Sequence, residues 1–315
     1  MERARALAYG KTGLAVVVWG ASFIATKVAL REVSPPTVVW LRFGIGTLLL
    51  GGVVLGRSEL ALPARREWGK LALLGLIGIT VHQLLQSNGL VTARATTTAW
   101  IVATTPIFIA ALGWLLLRER LSGVALLGIT LAAGGVLVVV TGGELRSLAA
   151  GRIGTPGDLL VMVSAPNWAL FSVLSRRTLQ DGGGRGAAGT LFWVMGIGWA
   201  LSSIPLLAGP GFGEIGALTA AGWLGIGFLG LFCSGLAYIF WYDALGALPA
   251  SQVGAFLYLE PLVTVVVAAV VLPQAEPITA ASVLGGGVIL LGVWLVSRPG
   301  RPGSPSAFPV RDSRR

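Results

Sequence analysis

Apolar runs of about 20 residues follow one another along the chain, and short links that carry most of the charge separate them. A helix of about 20 residues crosses a hydrocarbon core, whereas strands of a membrane barrel alternate in segments of about 10 residues. The runs do not alternate, so each predicts a transmembrane helix. The predicted spans are 12–31, 36–55, 69–90, 96–117, 122–141, 157–176, 188–208, 220–242, 249–272 and 279–297.

The two halves of this pattern correspond to each other. The residues that match at a constant spacing of 157 are Glu119 with Glu276, Gly128 with Gly285, and Gly135 with Gly292. Pro106 and Pro261 match at a spacing of 155, and both are candidate helix breaks because proline removes a backbone donor. Since each copy holds five helices, an odd number, the second copy enters the membrane upside down.

The pattern therefore predicts an all-α, polytopic membrane protein with ten transmembrane helices in two inverted five-helix repeats. The predicted organisation is a cytoplasmic N-terminus (1–11), a first repeat (12–141), a linker (142–156), a second repeat (157–297) and a disordered basic cytoplasmic tail (298–315). Inverted five-helix halves are an architecture of alternating-access carriers, whose site lies near the membrane midplane between the halves.

Composition supports a lipid environment. The chain is 55% hydrophobic and 11% charged, whereas a soluble domain carries about 25% charged residues. Of the 23 Lys and Arg residues, 17 fall in the links and span edges on the same side of the membrane as the N-terminus, and four fall in the links on the opposite side. Because Lys and Arg are enriched in cytoplasmic links, this distribution predicts an inner-membrane protein with both termini in the cytoplasm. The net charge of +10 is spread between spans and forms no single patch, so nucleic acid is not a predicted partner.

Several stretches resemble a known family. They are WGASFIATKVAL, LRFGIGTLLL and TPIFIAALGWLLLRERLS in the first repeat, and GDLLVMVSAPNWALFSVLSRR and LYLEPLVTVVVAAVVLPQAE in the second. In order and spacing they resemble the EamA-type members of the drug/metabolite transporter superfamily over residues 12–297. The resemblance implies a ten-helix inner-membrane carrier, often an exporter of amino acids or other small metabolites. The second copy departs from the family pattern by reading LPQAEP where a glycine-glutamate turn is expected.

Two ionisable residues within spans are candidates for substrate binding or coupling, because such side chains are costly in a membrane. Glu260 precedes Pro261 and predicts either a proton-coupling or amine-binding site, or a protonated acid that is hydrogen-bonded to a neighbouring helix. His82 and Gln86 share a helix face and indicate either a water-lined surface or a satisfied interior histidine. No second His or Cys cluster accompanies His82, so no metal site is predicted.

Two cations and three aromatic residues complete the predicted site. Lys27 and Arg42 lie within about two turns of the outer surface, where they either snorkel to the interface or form a vestibule that attracts carboxylates. Trp100, Trp168 and Tyr258 are candidates for lining a cavity that accepts an apolar or aromatic solute, with simple packing as the alternative.

These observations favour a secondary transporter that exports small metabolites such as amino acids. The predicted partners are a small-molecule substrate and membrane lipid, with protons as a candidate coupling ion; the oligomeric state stays open. A flippase for lipid-linked substrates is the alternative, although the outer links are short. An intramembrane enzyme is disfavoured, because no GxSxG or aspartate-rich motif is present. No cofactor is predicted, since Gly10-Lys11-Thr12 lacks the preceding glycine of a phosphate-binding loop.

Overall fold

The structure, a computed structural model, describes residues 2–117, 123–144, 146, 154–181, 186–209, 211–248, 250–272, 274–276 and 278–297. Throughout these ranges the secondary structure is helical, without strands. The turn predicted around Glu119, most of the linker predicted at 142–156 and the tail predicted at 298–315 lie outside the described residues.

The first half of the chain forms helices over each predicted span. They are α1 (Glu2–Ala29), α2 (Pro35–Gly56), α3 (Trp68–Gly75), α4 (His82–Thr92), α5 (Ala95–Val102), α6 (Thr105–Leu117) and α7 (Gly123–Val140). A π-helical segment, Leu76–Val81, joins α3 to α4 in one continuous helix. Helix α2 begins at two prolines, whose missing N–H groups have no partner in a first turn anyway. Pro106 lies in the first turn of α6, directly after the break that follows α5.

The second half repeats this order. Its helices are α8 (Pro156–Gln180), α9 (Ala187–Ala208), α10 (Ala220–Phe228), α11 (Ala237–Ala247), α12 (Ala250–Gly254), α13 (Glu260–Val271) and α14 (Ala280–Ser297). A second π-helical segment, Leu229–Leu236, joins α10 to α11. A 3₁₀ segment, Ala255–Leu259, precedes α13, and Pro261 occupies the first turn of that helix.

This is a multi-pass membrane protein, and the prediction of an all-α polytopic fold is confirmed. Among the described residues, seven helical stretches are long and apolar enough to cross a membrane, and the three shorter apolar helices are Ala95–Ile109, Leu126–Val140 and Ala280–Leu295. Large apolar side chains point outward; Leu48, Val270 and Leu284 are 69–77% exposed, as expected where lipid surrounds the helices. The count of ten helices and the inverted repeat stay predictions.

Some helices are longer than hydropathy predicts. Helix α1 begins at Glu2 although its predicted span begins at 12, and α8 and α11 continue to Gln180 and Ala247. Hydropathy marks only the part of a helix that lies in lipid. The helix itself continues until its backbone meets a turn, so the polar ends of these helices project beyond the apolar part.

Helices α7 and α14 pack at glycines. A Cβ added to Gly135 would lie 2.7 Å from the carbonyl oxygen of Gly285, and one added to Gly285 would lie 2.8 Å from that of Gly135. A Cβ on Gly292 would lie 2.5 Å from the carbonyl oxygen of Gly128. Only hydrogen at these Cα positions allows the two backbones to approach so closely.

Carboxylates connect the two halves at the end of the bundle opposite to the start of α1. The carboxylate of Glu32, which follows α1, accepts hydrogen bonds from the backbone N–H and hydroxyl of Thr219, the N-cap of α10, at 2.7 and 2.8 Å. Glu214, which precedes α10, accepts one from the backbone N–H of Ser34, the N-cap of α2, at 2.8 Å. These carboxylates satisfy N–H groups that have no partner within the helix.

Candidate functional site

A small cavity lies at the middle of the bundle, between helices of both halves. Its polar lining consists of Ser22, Arg42, His82, Gln83, Gln86 and Glu260, and its apolar lining of Trp19, Phe23, Val102, Trp168, Tyr238 and Leu257. The cavity measures about 30 Å³, which is the share of one water molecule in the liquid. A metabolite therefore fits in this cavity only after the surrounding helices separate.

Arg42 is the cation of the cavity. It sits in the middle of α2 and is 4% exposed. Its Nε donates to Ser234 Oγ at 2.9 Å and its Nη1 donates to Gln83 Oε1 at 3.0 Å, while Gln83 donates in turn to the Tyr238 hydroxyl at 3.2 Å. These partners are neutral, and the ion pairs seen among the described residues do not involve Arg42. A buried guanidinium with uncharged partners is available to an anion that enters the cavity.

Glu260 is the acid of the cavity. It is 3% exposed, and its Oε2 has no hydrogen-bond partner among the described residues. Its position in the first turn of α13 places the carboxyl group at the positive end of that helix. Helix α1 packs closely here, because a Cβ on Gly20 would lie 2.9 Å from the Glu260 carbonyl oxygen. An unpartnered buried carboxyl group can hold a proton or bind an ammonium group.

Aromatic rings form one wall of the cavity. The Trp168 ring lies 5.5 Å from that of Trp19 and 5.8 Å from that of Tyr238, while the His82 ring lies 4.7 Å from Trp168. The His82 Nδ1 atom is buried without a hydrogen-bond partner among the described residues. Trp19 is held in place by its indole N–H, which donates to the Cys233 carbonyl at 3.0 Å.

The π-helical segments help to position the polar side chains. Ser234 lies within the segment between α10 and α11, and His82 follows directly after the segment between α3 and α4. A π turn changes the phase of the residues after it, and such turns are frequent at functional sites. The first π-containing helix thus directs His82 into the cavity, whereas the second places Ser234 as a hydrogen-bond partner of Arg42.

The cavity brings together five of the predicted site residues, which are Arg42, His82, Gln86, Trp168 and Glu260. Two predicted aromatic residues lie elsewhere. The Trp100 indole N–H donates to Ser282 Oγ at 2.9 Å, and the Tyr258 hydroxyl donates to the Val293 carbonyl at 3.4 Å, so both contact α14. The predicted helix breaks, Pro106 and Pro261, both begin helices that follow an interrupted segment.

Lys27 also lies away from the cavity. Its Nζ is 3.7 Å from Oε1 of Glu276, which is itself 1% exposed. Glu276 accepts hydrogen bonds from the backbone N–H groups of Ala95 and Thr96 at 2.8 and 3.3 Å, and so caps the N-terminus of α5. Lys27 thus neutralises a buried capping carboxylate, an arrangement that neither sequence-based interpretation of Lys27 included.

Sequence reasoning missed Gln83, Trp19 and Tyr238 as site residues. Their neighbours in the cavity, His82 and Trp168, were recognisable as polar or aromatic residues within spans. Gln83 lies in the same span as His82, and Trp19 and Tyr238 lie within other predicted spans, but a largely apolar helix provides little periodicity from which to deduce the face that each side chain occupies. Within the described residues, no group of three or more His, Cys, Asp or Glu side chains is arranged to hold a metal ion.

Comparisons with known proteins agree with this architecture. The model of the family described as "EamA-like transporter family" matches residues 12–141 and 155–298. An "uncharacterized transporter" of Archaeoglobus fulgidus is 28% identical over 290 residues, which cover 90% of this chain and 95% of that protein. A "probable terminal-alkyne amino-acid exporter" of Streptantibioticus cattleyicolor is 27% identical over 90% of this chain and 91% of its own length.

A solved structure shares the fold. A crystal structure with 20% sequence identity superposes with a TM-score of 0.67 and covers 92% of this chain and 98% of its own. At that identity the likeness concerns the fold alone. The family match covers most of both halves, and the similarity to EamA-type transporters predicted from the sequence is confirmed.

Proposed function

The chain belongs to the EamA-like transporter family, and from this membership we propose that it is a secondary transporter that exports a small zwitterionic metabolite such as an amino acid. The substrate crosses the plasma membrane by alternating access between the halves 12–141 and 157–297. Both termini face the cytoplasm, a proposal that rests on the distribution of Lys and Arg between the links.

One observation carries the choice of substrate. Arg42 and Glu260 line the same buried cavity, and no described ion pair joins either of them to an opposite charge. Buried charges are costly unless they are paired. A zwitterion offers its carboxylate to Arg42 and its ammonium group to Glu260, and so pairs both groups in one binding event.

The aromatic wall supports an apolar side chain on that substrate. Trp19, Trp168 and Tyr238 present large ring surfaces to the cavity, which favour apolar or aromatic groups. The similarity to a protein named as a probable amino-acid exporter points to the same class.

The small volume of the cavity also supports alternating access. Because the cavity has room for about one water molecule, binding and release require opening towards one side at a time. Glu260, whose Oε2 has no described partner, is the proposed proton carrier when the substrate is absent. Exchange of a proton for the substrate ammonium at this carboxyl group couples export to the proton gradient.

The test is counterflow of labelled phenylalanine and leucine in proteoliposomes, with competition by analogues that lack one charge. Phenylalanine methyl ester lacks the carboxylate and N-acetylphenylalanine lacks the ammonium group. We expect each analogue to compete at least about tenfold more weakly, because it leaves Arg42 or Glu260 unpaired. Glu260→Gln should reduce the discrimination against N-acetylphenylalanine, whereas Arg94→Gln, at an exposed position between α4 and α5, should transport like the wild type. Absence of flux for every amino acid, or competition by either analogue as strong as that of phenylalanine itself, would refute the proposal.

A further inference from the structure

A groove separate from the central cavity lies at the end of the bundle where α1 begins. It measures about 190 Å³. It lies between α3 and α8, and its lining residues are Lys70, Leu73, Leu74, Leu174, Arg177, Thr178 and Asp181. Since α3 belongs to the first half and α8 to the second, any ligand in this groove touches both halves.

Polar and apolar groups in the groove are separated along the helix axes. Lys70 lies in the first turn of α3, and Leu73 and Leu74 lie one turn further into the same helix. Arg177 lies in the last turn of α8, and Leu174 lies one turn before it. Residues three or four apart share a helix face, and one turn spans about 5 Å. The groove thus has cations at its rim and leucines at a greater depth, which is the order of headgroup and acyl chain in a lipid leaflet.

The rim carries both signs of charge. Lys70 Nζ lies 2.8 Å from Asp181 Oδ2, and the two side chains are 60% and 63% exposed. An exposed ion pair of this kind contributes little free energy, so both groups are available to a ligand. Arg177 is exposed beside them. The Thr178 hydroxyl donates to the Leu174 carbonyl at 3.0 Å and is therefore already used.

Two cations and one carboxylate match a headgroup with a phosphate and a primary ammonium. We propose that this groove binds phosphatidylethanolamine, with its phosphate on Arg177 and Lys70, its ammonium on Asp181 and an acyl chain along Leu73 and Leu174. Phosphatidylcholine has the same phosphate but no N–H donor for Asp181. Phosphatidylglycerol has the same phosphate, but its neutral glycerol headgroup offers no cation to pair with Asp181.

Bound lipid also has a consequence for the fold. The headgroup bridges Lys70 on α3 and Asp181 at the end of α8, and α3 continues through the π segment to His82 in the cavity. Phosphatidylethanolamine therefore stabilises the closure of this end of the bundle. The binding site stands independently of the transported substrate, because lipid binding is measured without flux.

Native mass spectrometry of the full-length protein in detergent tests the proposal, with equal additions of phosphatidylethanolamine, phosphatidylglycerol and phosphatidylcholine of the same acyl chains. We expect phosphatidylethanolamine to bind about tenfold more tightly than phosphatidylcholine, which is the effect of one charge-assisted hydrogen bond. Arg177→Gln should weaken the binding of both phosphatidylethanolamine and phosphatidylcholine. Asp181→Asn should abolish the difference in affinity between these two lipids. The matched control is Arg57→Gln, an exposed cation beyond the end of α2 that does not line the groove.

Melting temperatures without added lipid verify that each variant is folded. Equal affinity of the wild type for phosphatidylethanolamine and phosphatidylcholine would overturn the proposal. Tighter binding of phosphatidylglycerol than of phosphatidylethanolamine would overturn the role of Asp181, and an unchanged affinity in Arg177→Gln would overturn the location of the site.

Discussion

Arg42 combines the features of a substrate-binding residue, since it is buried, it is charged and its partners are neutral. Its Nε and Nη1 donate hydrogen bonds to side chains on two different helical segments, and these bonds fix the orientation of the planar guanidinium group. We predict that Arg42→Lys reduces transport at least about tenfold, because an ammonium group cannot reproduce that planar geometry. Ser234→Ala, which removes one neutral partner and retains the charge, should have a smaller effect.

Counterflow rates per amount of folded protein measure this difference. A Lys variant that transports at the wild-type rate would contradict the assignment of Arg42 to the substrate. Gly52→Ala provides the control, because a Cβ at this exposed position on the same helix meets no atom within 4 Å.

Glu214 gives a prediction that depends on pH. Burial raises the pKa of its carboxyl group, but hydrogen bonds from Ser34 and Thr37 together lower the pKa by a larger amount. The pKa therefore lies below its usual value of 4.5. A carboxyl group whose pKa is lowered in the folded protein stabilises the fold above its unfolded pKa, and this contribution is lost as the pH falls through the folded value. We predict that Glu214→Gln lowers the melting temperature at pH 7 by a few degrees at most and that the difference disappears in strong acid.

Thermal unfolding in detergent from pH 3 to pH 7 measures this effect. Glu144→Gln, at an exposed position, should change the melting temperature at no pH. If the melting temperature of Glu214→Gln stayed below that of the wild type by the same amount at pH 3, the residue would act through packing and not through its charge.

The sequence showed which polar and aromatic residues lie within spans, but it did not show the direction in which each side chain points. Glu260, His82 and Trp168 stood out as polar or aromatic residues among apolar ones, and the cavity contains all three. Trp100 looked equivalent to Trp168, yet it faces α14. Threonines lie one turn before and one turn after it, so polarity does not mark a single face, and only tertiary packing determines which face meets the cavity.

At the scale of elements, hydropathy predicted the positions of the helices well because lipid imposes length and composition on them. The π segments at Leu76–Val81 and Leu229–Leu236 could not be predicted. No proline or charge distinguishes them, and their widened turns accommodate neighbours. A Cβ on Gly78 would meet the Phe171 ring, and one on Gly230 would lie 2.6 Å from the Ile45 Cβ.

Two adjacent glycines of α7 provide a matched test of the contact with α14. We predict that Gly135→Ala lowers the melting temperature by several degrees, because the new Cβ meets the Gly285 backbone at 2.7 Å and overpacking costs about 1–3 kcal/mol. Gly134→Ala meets nothing within 4 Å and should leave the melting temperature unchanged or raise it, since alanine favours helix. Equal melting temperatures for the two variants would contradict the close approach of these helices.

For the whole molecule, the same glycines show a reciprocal pattern. Gly135 meets Gly285, and Gly128 meets Gly292, whereas the sequence correspondence pairs Gly128 with Gly285 and Gly135 with Gly292. Contacts that exchange corresponding residues are what a two-fold axis generates. The inverted repeat stays a prediction, and this exchange of glycines is its expected consequence.

Contacts join the two halves at both ends of the bundle. Lys11 pairs with Asp243 at the end where α1 begins, and Glu32 bonds Thr219 at the opposite end. The cavity between them has only about 30 Å³ of free volume. Alternating access requires that the contacts at each end open in turn, so closure of either end alone should stop the cycle.

Thiol cross-links test this cycle in a Cys233→Ala background, since Cys233 is the only native cysteine. One variant carries Lys11→Cys with Asp243→Cys, and the other carries Glu32→Cys with Thr219→Cys. We predict that a short reducible cross-linker abolishes transport in each variant and that a reductant restores it, because every cycle needs both ends to open. The reduced form of each protein is its own control for lost side-chain contacts. If transport continued with either end fully cross-linked, the halves would not move as two bodies about the cavity, and the path of the substrate would have to lie elsewhere.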